Sequence, residues 1–355
     1  MNALTERLGC TLPILQAPMA GAQDDAMTIE VSRAGGLGSL PCAMLSSEAI
    51  VAAVERIRAA TDGPFALNFF CHKAPSDDPD RIQRWNERLA EAQRRLGVTP
   101  SLSGMPSRQP FGEAQCALLE EIRPAAVSFH FGLPEPALLE RVRATGCAIL
   151  ASATTVEEAV RLDQHGCDAI IAQGFEAGGH RGNFLSHNAH AQIGTLSLVP
   201  QVVDAVAAPV VAAGGIADGR GVAAAMLLGA SAVNVGTAYL RTPQARITPL
   251  HAARLAGARS DDTALTNVFT GRPARGLINR FMQDLDYLDD EVPEFPLASN
   301  AVSELRTAAE AEGSDDFSHM WCGQSAALAQ EQTAGELTRA LAADADDLLQ
   351  RRNMR

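Results

Sequence analysis

Eight short, almost continuously apolar runs, each followed by a helical stretch, constrain this chain more than any other feature. The runs are ILQAPM (14–19), GLGSL (36–40), FALNFF (65–70), AVSFHF (126–131), AILASA (148–153), AIIAQG (169–174), PVVAAG (209–214) and AVNVGT (232–237). Segments this apolar and this short are what parallel strands covered on both faces require. Helical patterns such as VEEAVRLDQH and VAAAMLL separate them, closed by Gly166 and Gly229, with Gly146 in the same place before the fifth run. Glycine just past a helix accepts the left-handed conformation without a Cβ penalty, so these positions read as C-caps. Thr154, Thr155 and Asp218 stand where N-caps belong.

Eight βα units within residues 1–240 predict an α/β fold, a TIM (β/α)8 barrel, with reactive groups at the C-terminal ends of its strands. A doubly wound sheet is the alternative, and it would want a phosphate-binding glycine loop after an early strand. The nearest candidate, AGGLGSL (34–40), sets its glycines before or inside a strand and lacks the third glycine of the fingerprint. It reads instead as a helix C-cap running into the second strand. Past Leu240 the rhythm stops. Residues 241–355 hold helical stretches and a Pro/Asp-rich link, DLDYLDDEVPEFP. They predict a mostly helical cap that shapes the substrate site, with the last helix packing back on the barrel.

Composition narrows the function. A net charge of −13 argues against nucleic acid, whose phosphates need a basic face. It leaves room for a small anion held by a local arginine or a helix N-terminus. No run approaches the roughly 18–20 apolar residues of a membrane span, and MNALTERLGC has charges where a signal peptide carries its apolar core. Seven scattered cysteines with no CxxC pair predict reduced thiols in a cytoplasm and no cysteine metal site. The single lysine, Lys73, leaves little for Schiff-base chemistry, which counts against a phosphate-barrel aldolase or lyase.

Two glycine-bearing strand ends stand out: AAGGIADG (212–219) and NVGT (234–237). In a barrel of this kind the last two loops commonly cradle a phosphate, because glycine lets backbone N–H groups approach the anion and threonine adds a donor. Gly214, Gly215, Gly236 and Thr237 are the candidates. Asn68 in the third run and Gln173 at the end of the sixth could bond the edge of a heterocycle, and Pro18 and Met19 offer an apolar bed for its ring. The sixth run opens into FEAGGHRG, which brings His180 and Arg181 on glycine-rich backbone. Imidazole titrates nearest neutrality, so His180 could take a proton from a carbon acid or hold an anion. Arg181 either draws an anionic substrate or lies at the surface. His130, taken by itself, reads as a core histidine satisfied by a backbone carbonyl. His187 and His190 follow closely, but with no geometry for a third ligand the expectation is no metal.

Over Leu12 to about Leu240 the chain resembles the FMN-dependent nitronate monooxygenases, formerly called 2-nitropropane dioxygenases. The resemblance runs through PILQAPMAG, AGGLGSL, FALNFF, VSFHFGLP, AQGFEAGGHRG and AAGGIADG, and more loosely through FTGRPARGLINRF (269–281) and WCGQ (321–324). EAGGHRG is its most specific piece. The resemblance implies FMN in the barrel mouth, touched by Asn68, Gln173, Gly178, Gly179, Gly214, Gly215 and the run Asn234, Val235, Gly236, Thr237, with Pro18 and Met19 near the flavin ring. It makes His180 the catalytic histidine and His130 its neighbour in the substrate site. Family members more often carry Gln-Met-Gly-Thr in the last run; this chain keeps Gly-Thr and has Asn-Val before it.

The implied activity is oxidation of alkyl nitronates, such as propionate 3-nitronate, by dioxygen to a carbonyl compound plus nitrite or nitrate. A nitroalkane is the alternative substrate form, and a homodimer is compatible with the resemblance. The rival reading is an FMN-dependent NAD(P)H:quinone or enoyl-thioester reductase on the same barrel. It would take hydride from a nicotinamide without needing a dinucleotide fingerprint.

Overall fold

The computed structural model describes residues 2–76, 78–99, 108–186, 188, 191–259 and 261–353. Strands are numbered in chain order: β1 (Ile14–Gln16), β2 (Gly38–Pro41), β3 (Phe65–Phe70), β4 (Ala126–His130), β5 (Ala148–Ala153), β6 (Ala169–Gln173), β7 (Gly179–His180), β8 (Val210–Ala213), β9 (Ala232–Val235), β10 (Thr263–Thr266) and β11 (Ala274–Leu277). Eight of them form one parallel sheet in the order β1-β9-β8-β6-β5-β4-β3-β2. The sheet closes where Leu15 bridges Leu37: the Gln16 N–H donates to the Leu37 carbonyl at 3.0 Å, and the Leu37 N–H to the Ile14 carbonyl at 3.0 Å. All eight apolar runs therefore become staves of one α/β barrel.

Residues of one parity along the staves point inward, among them Ala66, Ala126, Ala148, Leu150, Ile171 and Val211. Leu4 and Leu8 of the N-terminal helix Ala3–Leu8 join this inner layer. Residues of the other parity, such as Val127, Phe129, Ile149 and Ile170, pack outward under the helices. The punctuation behaves as glycine chemistry predicts, with Gly146, Gly166 and Gly229 at φ of 82°, 70° and 95°. Asp218 caps its helix through the N–H groups of Arg220 and Gly221. Of the two threonines it is Thr155 that caps the next helix, accepting from the Glu158 N–H at 3.1 Å. Thr154 instead donates its hydroxyl to the buried Glu158 carboxylate at 2.8 Å.

Seven barrel strands lead to an outer helix, β3 by way of helix Pro79–Leu96 and β6 by way of β7, but after β9 the chain leaves the barrel and returns only at the end. Helix Ala334–Asn353 packs between helices Asp25–Arg33 and Gly219–Leu227. Its buried stripe Ala334, Leu337, Leu341, Ala342 and Ala345 has helical spacing. The intervening residues cover the mouth. They contain helices Pro249–Ala256 and Ala298–Ala311, and also a ladder of β10 with β11. A second apolar core holds this layer together, and Trp85 and Leu89 of helix Pro79–Leu96 enter it beside Val302 and Leu305. The insertion after β3 thus packs with the cap. No helix among the described residues is long and apolar enough to cross a membrane.

Candidate active site

Strand parity decides which side chains reach the mouth. Asn68 and Phe70 of β3, Ser128 and His130 of β4, Ser152 of β5, Ile171 and Gln173 of β6, Ala213 of β8 and Asn234 of β9 all line one cavity of about 270 Å³. Pro18, Met19, Gly178, Gly179, His180, Gly214, Gly215, Gly236 and Thr237 line it too. Val235 has the opposite parity. Its side chain is buried in the outer core, and its carbonyl accepts from the Ala17 N–H at 2.8 Å.

His180 is set over the mouth by β7, which pairs antiparallel with β11 so that Ala274 faces His180 and Arg275 faces Gly179. One residue before this pair the backbones nearly touch. A Cβ on Gly178 would lie 2.5 Å from the Cys322 carbonyl carbon and the Gly323 nitrogen, so only glycine fits. The His180 Nε2 bonds Thr270 Oγ1 at 2.9 Å, while Nδ1 makes no hydrogen bond among the described residues. Phe295 and Phe131 meet the ring edge-to-face at 5.3 and 6.1 Å, and Trp321 lies tilted at 5.5 Å. Burial, then the charges of Arg108 and Arg272, hold the His180 pKa well below the usual imidazole range. It is a neutral imidazole in a field of positive charge.

His130 lines the cavity, and both of its ring nitrogens are satisfied. Nε2 lies 3.2 Å from the His180 carbonyl, which can only accept, so Nε2 carries the hydrogen and Nδ1 accepts from the Ser152 hydroxyl at 3.0 Å. Burial, followed by the charge of Arg272, pushes its pKa down to about 3. Gln173 donates to the same His180 carbonyl at 3.0 Å and accepts from the Gly182 N–H at 2.7 Å. One amide hydrogen and one lone pair thus hold the loop, while the side chain still lines the cavity with its second hydrogen. Asn68 donates to the Ser128 carbonyl at 3.1 Å and hydroxyl at 2.9 Å, leaving Oδ1 toward a ligand.

Arg181 does neither of the two things expected of it. It is fully buried, and its guanidinium donates to Gln192 Oε1 at 2.6 Å and to the carbonyls of Gly174 and Gln173 at 2.5 and 2.8 Å. It is absent from the cavity wall because it closes off the end of β6 from outside. His187 and His190 lie outside the described residues; among those described, no three His, Cys, Asp or Glu side chains group as a metal site.

At the opposite wall, Gly214 and Gly215 take φ of 106° and 72°. Ser325 donates to the Gly215 carbonyl at 2.7 Å, and Thr237 Oγ1 accepts from the Gly323 N–H at 2.8 Å, which keeps the threonine hydrogen free to donate. Among the lining residues that carried no expectation are Arg108, His251, Arg306, His319 and Trp321. Thr270, Arg272 and Trp321 sit in the quoted segments FTGRP and WCGQ, which marked the place without a role. Nothing local marks Arg108 or Arg306, which are far apart in sequence and meet only in the folded chain.

The family model described as nitronate monooxygenase matches residues 1–344. A nitronate monooxygenase of Pseudomonas aeruginosa is 43% identical over 343 residues, covering 96% of this chain and 98% of that protein. Among solved structures, a nitroalkane oxidase from Streptomyces ansochromogenes superposes with a TM-score of 0.89 at 36% identity, covering 99% of each chain. FabK from Thermotoga maritima superposes with a TM-score of 0.77 at 25% identity, covering 99% of this chain and 98% of its own.

Proposed function

The chain belongs to the nitronate monooxygenase family, and from that premise we propose that it oxidises alkyl nitronates with dioxygen, using FMN, to a carbonyl compound plus nitrite or nitrate. The observation that carries this reading is a neutral, half-buried His180 beside the fixed positive charges of Arg108 and Arg272, facing the cavity at the C-terminal end of the barrel. Such a field suits a small organic anion.

The residues present fit FMN. Glycine turns at 214–215 and 236, together with the free hydrogen of the Thr237 hydroxyl, supply the donors a phosphate asks for. Pro18 and Met19 give a ring an apolar bed, and Asn68 Oδ1 and the Asn234 amide offer polar edge contacts. When bound, FMN supplies the redox chemistry between nitronate and dioxygen. The chain's own groups position and bind. His180 holds the nitronate through its ring and, for a neutral nitroalkane, takes the carbon-bound proton at Nδ1, the nitrogen left without a hydrogen bond. His130 and Gln173 grip the His180 carbonyl and so fix the ring's place rather than touching the reacting atoms. Phe131, Phe295 and Trp321 keep water from it. Residues 1–240 together with helix Ala334–Asn353 act as the cofactor barrel, and the segment between them, joined by helix Pro79–Leu96, acts as the substrate cap; free cysteines among the described residues agree with work in the cytoplasm.

Flavin absorbance tests the reading, with propionate 3-nitronate and NADH run in parallel, aerobically and without oxygen. The expected result is a flavin spectrum that responds to the nitronate anaerobically, oxygen uptake with nitrite release in air, and little response to NADH. Rapid bleaching by NADH with no nitronate turnover would favour a reductase; the likeness to FabK makes that arm necessary.

A further inference from the structure

We propose that Thr270 is the positioning residue of His180, its hydroxyl fixing the ring hydrogen on Nε2 so that Nδ1 is the nitrogen free to take a proton from carbon. This rests on the nitronate oxidation argued above and names the residue that prepares its base.

Thr270 is 2% exposed and sits in the turn that follows β10. Its Oγ1 lies 2.9 Å from His180 Nε2 and 3.4 Å from the Arg272 carbonyl, to which it donates. The turn is pinned on both flanks. The N–H groups of Thr270 and Gly271 donate to the Asn267 carbonyl at 3.3 and 2.8 Å, and the Arg181 N–H donates to the Pro273 carbonyl at 2.8 Å. Gly271 has a φ of 87°, and a Cβ there would overlap the Pro293 carbonyl oxygen, so the turn lies hard against the segment that carries Phe295. Thr270 thus meets the ring from the cap, while His130 and Gln173 hold the His180 carbonyl from the barrel.

Counting hydrogens decides the tautomer. The Arg272 carbonyl can only accept, so the hydroxyl hydrogen goes there, and Nε2 supplies the hydrogen between ring and hydroxyl. The opposite tautomer turns the hydroxyl toward Nε2 and gives up the bond to Arg272. It also puts a hydrogen on Nδ1, which has no acceptor among the described residues. That form makes one bond fewer and leaves a donor unpaired, so the Nε2–H form prevails.

The partner is a hydroxyl, not a carboxylate. No Asp or Glu among the described residues bonds His180. In a Ser-His-Asp triad the carboxylate both orients the imidazole and stabilises its cation. Thr270 orients without adding charge, and the ring waits neutral. When a nitroalkane reacts, its C–H bond breaks, the electron pair stays on the substrate as nitronate, and the proton ends on Nδ1. Imidazolium and nitronate form together, with Nε2–H still held by Thr270.

Long-range nitrogen–proton NMR of the FMN-loaded full chain reads the tautomer without turnover, with the His180 signals identified by their loss in His180→Asn. The wild type should carry its ring hydrogen on Nε2, and Thr270→Val should show a mixture of tautomers. Thr270→Val should also lower kcat/KM for nitroalkane roughly tenfold or more, with the nitronate little affected, and Thr270→Ser should restore most of the loss. Should Thr270→Val lose FMN, the wild-type spectrum and Thr270→Ser still decide. A hydrogen on Nδ1 in the wild type, equal losses on both substrates, or no rescue by serine would overturn the assignment while nitronate oxidation stands. A wild type with the expected tautomer but inactive toward both substrates would remove the underlying reading, and the proton-taking role with it.

Discussion

His180 owes its chemistry to placement. An exposed imidazole would be partly charged near neutrality, whereas burial and neighbouring arginines keep this one neutral. A nitronate arrives already deprotonated and needs only to be held, but a nitroalkane needs a base. His180→Asn should therefore leave FMN bound and lower nitroalkane turnover by roughly a hundredfold, with a smaller loss on the nitronate. Stopped-flow flavin reduction with each substrate measures this, and equal losses would refute the split. Arg181, next in sequence, tests the opposite kind of residue. Its guanidinium satisfies two buried carbonyls and Gln192, so Arg181→Met leaves those acceptors orphaned and should cost about 3 kcal/mol or more. Arg181→Lys should rescue little, since one ammonium cannot reproduce the fork. Urea melts give the size of both effects.

Elements explain why such residues converge. β7 is only two residues long, yet its pairing with β11 ties the loop after β6 to the cap and fixes His180 from both sides. Gly178→Ala should push the 322–323 segment away by the overlap already noted, weakening FMN binding and cap packing together. Fluorescence titration with FMN measures the loss, and an unchanged Kd would mean that the segment yields freely. The C-terminal helix is the complementary case, remote from the chemistry but part of the barrel wall. Leu341 is 1% exposed under it, and Thr338 bonds the buried Tyr239 hydroxyl at 2.7 Å. Leu341→Ala should cost about 2–5 kcal/mol and lower the melting of the whole molecule in one transition. Separate melting of a cap and a barrel would contradict that.

At the scale of the whole molecule, the site carries a pH liability. Burial lowers His72 and His251 to about 4, His130 and His319 to about 3, and His180 well below its ordinary value. These groups stay neutral in the native state but regain pKa values of about 6.5 on unfolding. Below that value the unfolded chain binds more protons, so stability is full above it and falls with pH down toward the folded values. Each strongly shifted histidine contributes about 1.4 kcal/mol per pH unit in that window. Thermal melts should show Tm dropping steeply from about pH 6.5 toward pH 4. A flat profile there would mean that the histidines are solvated.

Much of this protein was legible in local pattern. Eight apolar runs and their glycine caps specify a barrel because strand burial and helix termination depend on neighbours in the chain. Candidates at the strand ends, such as Asn68, His130 and Asn234, could be read for the same reason: alternation along a stave sets which side chains face inward. Tertiary structure decided the rest. Val235 turned away by that same alternation, once register was set. Arg181 went inside because the end of β6 left carbonyls that needed donors, a demand invisible in the sequence EAGGHRG. Arg108 and Arg306 share a wall across almost two hundred residues of chain, and no periodicity encodes such a meeting. Local interactions select elements; which distant charges come to face one cavity depends on how those elements pack.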